Sequence, residues 1–145
     1  MSTVTEPSLS AIHHVAINVH DLERSERWYA DVLGFTRLAP FEGDHFSRVL
    51  MRHPSGMLLG LTKHDDPEAS APFNERRTGL DHFAFQVADR AQVEDWVARF
   101  DALGVPHSEI RHTPITGSYL VVFRDPDGIQ LEMYAPGQPP PPTGP

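Results

Sequence analysis

Tyr119-Leu120-Val121-Val122-Phe123-Arg124-Asp125-Pro126-Asp127-Gly128-Ile129-Gln130-Leu131-Glu132-Met133-Tyr134 holds two β-rich runs on either side of an Asp-Pro-Asp-Gly turn. Proline presets φ at one turn position and glycine admits a positive φ at another, so the stretch is predicted as a β-hairpin. Strand side chains alternate between faces, which puts Ile129, Leu131 and Met133 on one side and Gln130, Glu132 and Tyr134 on the other. A carboxylate, Glu132, therefore sits in mid-strand, where a solvated loop is its cheaper home. A weaker copy of the phrase, Arg52-His53-Pro54-Ser55-Gly56-Met57-Leu58-Leu59-Gly60, stands 72 residues earlier (124 minus 52), and Glu132 answers to Gly60.

The rest of the chain repeats in the same way. Ala11 to Val19 alternates as a strand, with Ile12, His14, Ala16 and Asn18 on one face and His13, Val15, Ile17 and Val19 on the other. Asp21 is a fitting N-cap for a helix carrying Leu22, Trp28, Tyr29, Val32 and Leu33 and ending at Gly34. Phe35 to Leu38, Phe46 to Arg52 and Gly56 to Thr62 read as three further strands. Lys63 to Thr78 is charged and proline-bearing, a linker. The pattern then restarts. Gly79 to Val87 is a strand with His82, Ala84 and Gln86 opposite Phe83, Phe85 and Val87; Asp89 with Gln92 resembles a capping box; and the next helix carries Val93, Trp96, Val97, Phe100 and Leu103 up to Gly104. His14 to His82, Asp21 to Asp89 and Trp28 to Trp96 all differ by 68. The chain is thus α+β, a doubled βαβββ unit in which each sheet has one apolar face for its helix to cover. Its expected parts are a loose N-terminus (1–8), a first module (9–63), the linker (64–78), a second module (79–136) and a disordered proline-rich tail (137–145).

With 145 residues, 39% of them apolar, the chain is long enough for one domain with its own core. A formal charge of −8 argues against nucleic acid or an anionic membrane as the main partner, since phosphate surfaces attract Lys/Arg-rich ones. Absence of cysteine excludes disulfides, a thiolate nucleophile and cysteine-bound zinc. No basic N-terminus leads into an apolar run and no stretch of membrane-spanning length is present, so a cytoplasmic protein is the default expectation. Of nine histidines, His13, His20, His45, His53, His64, His107 and His112 fall near strand ends, in turns or opposite the candidate site. His14 and His82 share a repeat position and a strand phase.

The face away from the helices presents His14, Ala16 and Asn18; His82, Ala84 and Gln86; and Gln130, Glu132 and Tyr134. If the turn sets Arg124 opposite Ile129, then Tyr119, Val121 and Phe123 join Glu132, with Ser47, Val49 and Met51 as their counterparts. Two imidazoles and one carboxylate match the facial two-His, one-carboxylate donor set, for which one iron(II) per site is the favoured guest and manganese, zinc or nickel are alternatives. Gln86, Tyr119 and Tyr134 are candidates to orient a substrate, and Val49, Met51, Val121 and Phe123 to line an apolar wall. Plain packing explains such a wall equally, and a strand histidine on a half-solvated sheet is commonly no ligand. No acid or base can be assigned.

His13-His14-Val15-Ala16-Ile17-Asn18-Val19, Trp28-Tyr29-Ala30-Asp31-Val32-Leu33-Gly34-Phe35, Leu80-Asp81-His82-Phe83-Ala84-Phe85-Gln86-Val87 and Phe123 to Glu132 together resemble the glyoxalase, bleomycin-resistance and dioxygenase group, the vicinal oxygen chelate superfamily. The resemblance runs from about Leu9 to Pro136. It implies paired modules forming a cupped mixed sheet with helices on its outer face, and metal ligands at His14, His82 and Glu132. A homodimer is implied too, with each site built inside one chain or shared between two. Glyoxalase I members carry a fourth ligand where this chain has Gly60. Fosfomycin-modifying members have the three-ligand set, and Gly117-Ser118-Tyr119 resembles one of their loops, but the inferred cavity strands show no Lys or Arg to clamp a phosphonate. The expectation is a metal-dependent enzyme that chelates neighbouring oxygens of a small organic substrate, leaning to dioxygenase chemistry. Alternatives are a redox-neutral lyase, isomerase or thiol transferase, and a drug-binding resistance protein without catalysis.

Overall fold

The computed structural model describes residues 4–137; Met1 to Thr3 and residues 138–145, almost the whole proline-rich tail, lie outside the described residues. In the first module β1 (Val15–Asn18), α1 (Leu22–Leu33), β2 (Thr36–Gly43), β3 (Phe46–Arg52) and β4 (Leu58–His64) give a sheet of order β1-β4-β3-β2. In the second, β5 (Phe83–Gln86), α2 (Arg90–Leu103), β6 (Arg111–Thr113), β7 (Ser118–Arg124) and β8 (Gln130–Ala135) give β5-β8-β7-β6. Each opening strand pairs in parallel with the last strand of its own module, and the remaining pairs are antiparallel. This is the doubled βαβββ architecture. The linker carries one 3-10 turn, Pro67–Ser70.

Both helices are delimited by the same local chemistry. Asp21 Oδ1 accepts from the Arg24 amide at 3.1 Å, and Asp89 Oδ1 from the Gln92 amide at 3.0 Å. Gly34 (φ 85°) and Gly104 (φ 69°) end them in the left-handed region. Gln92 turns its amide to Asp95 at 3.3 Å, so the second cap lacks the reciprocal bond of a capping box.

Helix-covered sides of both sheets meet in one core. Ile17, Leu59, Leu61, Val49 and Met51 from the first sheet and Phe85, Leu131, Met133, Val121 and Phe123 from the second belong to a single buried cluster with Tyr29 and Phe100. Phe35 packs on Phe85 and Trp28 on Phe123, each pair with ring centroids 6.2 Å apart. Arg99 of α2 donates to the carbonyls of Val32 and Asp31 at 2.9 and 2.8 Å, tying the helices together. Because the apolar sides face each other, the open side of each sheet looks outward.

The Asp125-Pro126-Asp127-Gly128 turn closes this arrangement. Asp125 is 6% exposed. Its Oδ2 accepts from the Tyr29 hydroxyl at 2.8 Å, and its Oδ1 from the amides of Asp127 and Ile129 at 2.9 Å. Asp127 accepts from the His20 amide at 3.0 Å and the Ser25 hydroxyl at 3.3 Å, while Arg24 donates to the Pro126 carbonyl at 2.9 Å. Burial pushes the Asp125 carboxyl up, and burial next to that carboxylate pushes the Tyr29 hydroxyl far up, which keeps it a proton donor. By the internal repeat, His53-Pro54-Ser55-Gly56 should dock the same way on the start of α2. There Val97 and Val93 stand where Tyr29 and Ser25 stand in the first module, and neither can donate. A cavity of about 380 Å³ lies there instead, between His53 and Met57 on one side and Asp89 and Trp96 on the other.

Tyr29→Phe removes one partner from a buried carboxylate and is expected to cost about 1–3 kcal/mol of stability in denaturant unfolding. A second expectation concerns pH. His107 Nε2 lies 2.7 Å from Asp101 at the end of α2, and this bond raises the His107 pKa. A group raised on folding contributes its full stability below the unfolded value of about 6.5 and loses it as pH rises through the folded value. The melting temperature of wild type should therefore exceed that of His107→Gln most below about pH 6.5, with the gap shrinking at alkaline pH.

Candidate metal centre

His82 and Glu132 come together on the open side of the second sheet. Ala84 pairs with Glu132 across the parallel β5–β8 ladder, which sets His82, two residues before Ala84, on the same face. His82 Nε2 is 3.6 Å from Glu132 Oε2. His82 Nδ1 lies 2.6 Å from Asp81 Oδ1, so its Nε2 is the nitrogen left free for another partner. Asp81 is itself held by the Gln130 amide at 3.2 Å, and Gln130 by Arg124 at 3.4 Å. Arg124 pairs with Glu75 at 2.8 Å and holds that carboxyl down to about 2. Among the described residues no hydrogen bond occupies the Glu132 carboxylate, whose side chain is 13% exposed.

His14 is elsewhere. It stands just before β1 on the open side of the first sheet, where its Nδ1 lies 2.9 Å from His13 Nδ1. It borders a cavity of about 390 Å³ with Ala16, Phe41, Arg48, Leu50 and Gly60. No group of three metal-binding side chains converges among the described residues. The chain thus carries a two-donor half-site on one outward face and His14, with its neighbour His13, on the other. An imidazole with its second nitrogen already bound, beside a carboxylate free of hydrogen bonds, is a donor pair that fits a divalent ion and leaves further ligands to be supplied.

The register corrects several sequence expectations. Arg124 pairs with Gln130, not Ile129, so Leu120 and Val122 flank Glu132, while Tyr119, Val121 and Phe123 turn to the helix side. Val121 and Phe123 are fully buried core residues. Tyr119 lies under the Arg90 guanidinium, 5.0 Å away. The first module follows suit: Leu50 pairs with Gly60, which puts Arg48 and Leu50 on the open face and buries Val49 and Met51. These five residues line no cavity around Glu132 or His14. The turn takes up one residue more than the hairpin reading assumed, and a one-residue slip reverses every side chain. The same correction places a cation, Arg48, on a cavity strand where none was expected.

Three other positions differ. His13 does not point away from His14, because the β1 ladder starts only at Val15 and the preceding residues are free to bring the rings together. Gln86 sits at the far end of β5, where it borders the cavity between the modules. Tyr134 is on the Glu132 face but donates to the Ser118 hydroxyl at 2.7 Å, and its pKa is lowered by the hydrogen bonds to Ser118 and Thr116. Sequence reasoning missed the partners of the imidazoles, His13 and Asp81. A signal existed, for they too stand 68 residues apart.

Residues 11–133 match the profile of the Glyoxalase/Bleomycin resistance protein/Dioxygenase superfamily. The chain belongs to this superfamily. It is 31% identical over 129 residues to the uncharacterized protein YaeR of Escherichia coli K12, covering 87% of this chain and 96% of that one. It is 30% identical over 132 residues to a catechol-2,3-dioxygenase of Bacillus subtilis, a match covering 86% of this chain but only 41% of that enzyme. The crystal structure of a glyoxylase/bleomycin resistance protein/dioxygenase domain from Frankia sp. EAN1pec superposes with a TM-score of 0.80 at 32% identity, over 89% of this chain and 93% of that one. Fold and family are thereby established together.

The register makes a direct prediction. Met51→Ala should cost about 2–5 kcal/mol, as truncation in a closed core does. Leu50→Ala, on the open face, should stay within about 1 kcal/mol of wild type in the same denaturant titration.

Proposed function

We propose that the protein is a metal-dependent enzyme acting on a small organic substrate that offers two neighbouring oxygens, with its centre completed by two copies of the chain. His82 and Glu132 of one copy and His14 of the other form the donor set. The observation that carries this reading is the His82–Glu132 pair, preoriented by Asp81, which among the described residues no third donor of its own chain joins. Both β1 and β5 are edge strands with His14 and His82 at their leading ends, so aligning the β1 edge of one copy with the β5 edge of another brings the imidazoles together. Exposed Phe41 (56%) and Leu38 (53%) on β2 add apolar surface that a second copy can cover.

A divalent ion held there would polarise the two substrate oxygens and stabilise negative charge developing on them. The chain's residues supply the rest. Asp81 and His13 hold their imidazoles by Nδ1 and present Nε2. Leu120 and Val122, flanking Glu132, keep water from its surroundings. Gly60, at the repeat position of Glu132, offers no fourth ligand, so three protein donors would hold the ion and leave room for a chelating substrate and one small molecule. That count favours oxygen-dependent cleavage of a catechol-like or enediol-like substrate, with iron(II) as the preferred ion and manganese, zinc or nickel as alternatives. Redox-neutral lyase, isomerase or thiol-transfer chemistry is the second reading, favoured by the Arg48 cation on the open face of the first module.

Complementation tests the shared centre. His14→Ala and His82→Ala chains should each lose stoichiometric manganese while keeping their fold. When the two are co-expressed and the mixed dimer is isolated, one of its two sites has all three donors, and manganese should return to about half the wild-type content. Manganese retained by either variant alone would reject the donor assignment, and no recovery in the mixed dimer would reject sharing. Asp81→Ala should lower metal affinity about 10- to 100-fold, as loss of an orienting partner does, in a competition titration against a chelator.

A further inference from the structure

We infer that Arg48 is a specificity-determining residue that recognises an oxyanion group on the substrate, a carboxylate, phosphonate or phosphate. This deepens the reading above and rests on the open face of the first module forming half of the site.

Four observations converge on Arg48. Its side chain borders the same cavity as His14, with Leu50, Phe41 and Ala16 as apolar walls. It is half-buried, yet among the described residues it makes no ion pair, in a chain of net charge −8 where Arg37, Arg90 and Arg124 are all paired with glutamates. Its place is set by neutral partners: Nε donates to the Thr62 hydroxyl at 2.8 Å, Thr62 being 1% exposed, and the guanidinium lies 5.0 Å from the Phe46 ring centroid. Nε is spent on Thr62, and among the described residues nothing bonds the terminal nitrogens, the fork that matches an oxyanion.

Gly60 completes the arrangement. A Cβ there would stand 3.4 Å from Ala16 Cβ and 3.6 Å from Arg48 Cδ, in ordinary contact with both, so position 60 lies directly beside the arginine stem and any side chain it carried would emerge next to it. Where the second module places its carboxylate, the first leaves a gap beside a cation. A glutamate at position 60 would pair with Arg48 and cancel its charge. With glycine, the positive charge stays available, and a second copy that adds Glu132 and a divalent ion makes a pocket of net positive charge within an acidic protein. Such a pocket draws an anionic substrate and orients it by a bidentate contact while its other oxygens reach the centre.

Methylphosphonate is the probe. Calorimetric titration of the full-length, manganese-loaded protein should show binding that weakens about 10- to 100-fold in Arg48→Gln and is partly restored in Arg48→Lys, the loss expected for one charge-assisted contact. Manganese content of Arg48→Gln should match wild type, and a single cooperative unfolding transition should show that the fold is kept. Equal binding by Arg48→Gln and wild type, or no binding by wild type, would overturn the inference. Failure of the metal-centre reading shows separately, as wild type that holds no manganese. In that event the same titration on metal-free protein decides Arg48 by the same comparison.

Discussion

A buried carboxylate sets the geometry of the whole molecule. Asp125 organises its own turn by accepting two backbone amides and reaches across to the Tyr29 hydroxyl, so the last hairpin of the second module is locked to the first helix of the first. In an apolar surround these bonds are strong because their absence would leave the carboxylate unsatisfied. They hold the helix-covered sides of the two sheets against each other around Trp28, Phe35, Phe85 and Phe123. The outward direction of both open faces is a consequence. So is the separation of His14 from His82 and Glu132.

The doubled unit has divided its tasks by substitution at equivalent positions. Where the second module has Asp125, the first has His53; where the first has Tyr29 and Ser25, the second has Val97 and Val93. One turn is therefore clasped and the other borders a cavity. The open faces diverge in the same way. Glu132 answers to Gly60 and Asp81 to His13, so one face carries a carboxylate pair around its imidazole and the other carries a second imidazole and Arg48. Under the proposed function these differences are complementary, one face bringing the acid donor and the other the means of holding an anionic substrate.

Much of this was readable from residues alone. The 68-residue recurrence of histidine, N-cap aspartate and tryptophan reveals the two modules, and period-2 alternation puts Gln130, Glu132 and Tyr134 on one face, as the ladders show; His82, just ahead of its ladder, joins them by its 3.6 Å approach to Glu132. Strand phase is local, set by the pleat. Register is not: it depends on how many residues the turn consumes, and reading Arg124 against Ile129 instead of Gln130 turned Val121 and Phe123 from core to cavity wall and hid Arg48. The meeting of His13 with His14 was likewise illegible, because alternation applies only inside a ladder and β1 begins at Val15. The placement of the two modules relative to each other rests on the Tyr29–Asp125 bond across 96 residues, which no periodicity announces.

The most direct measurement is a crystal structure of the protein grown with manganese, with the ion located by its anomalous scattering. The account predicts one ion per chain, bound by Nε2 of His82 and a carboxylate oxygen of Glu132 from one copy and by an imidazole nitrogen of His14 from a second. An ion seated away from His82 and Glu132, or two copies whose His14 and His82 remain on unrelated surfaces, would contradict it.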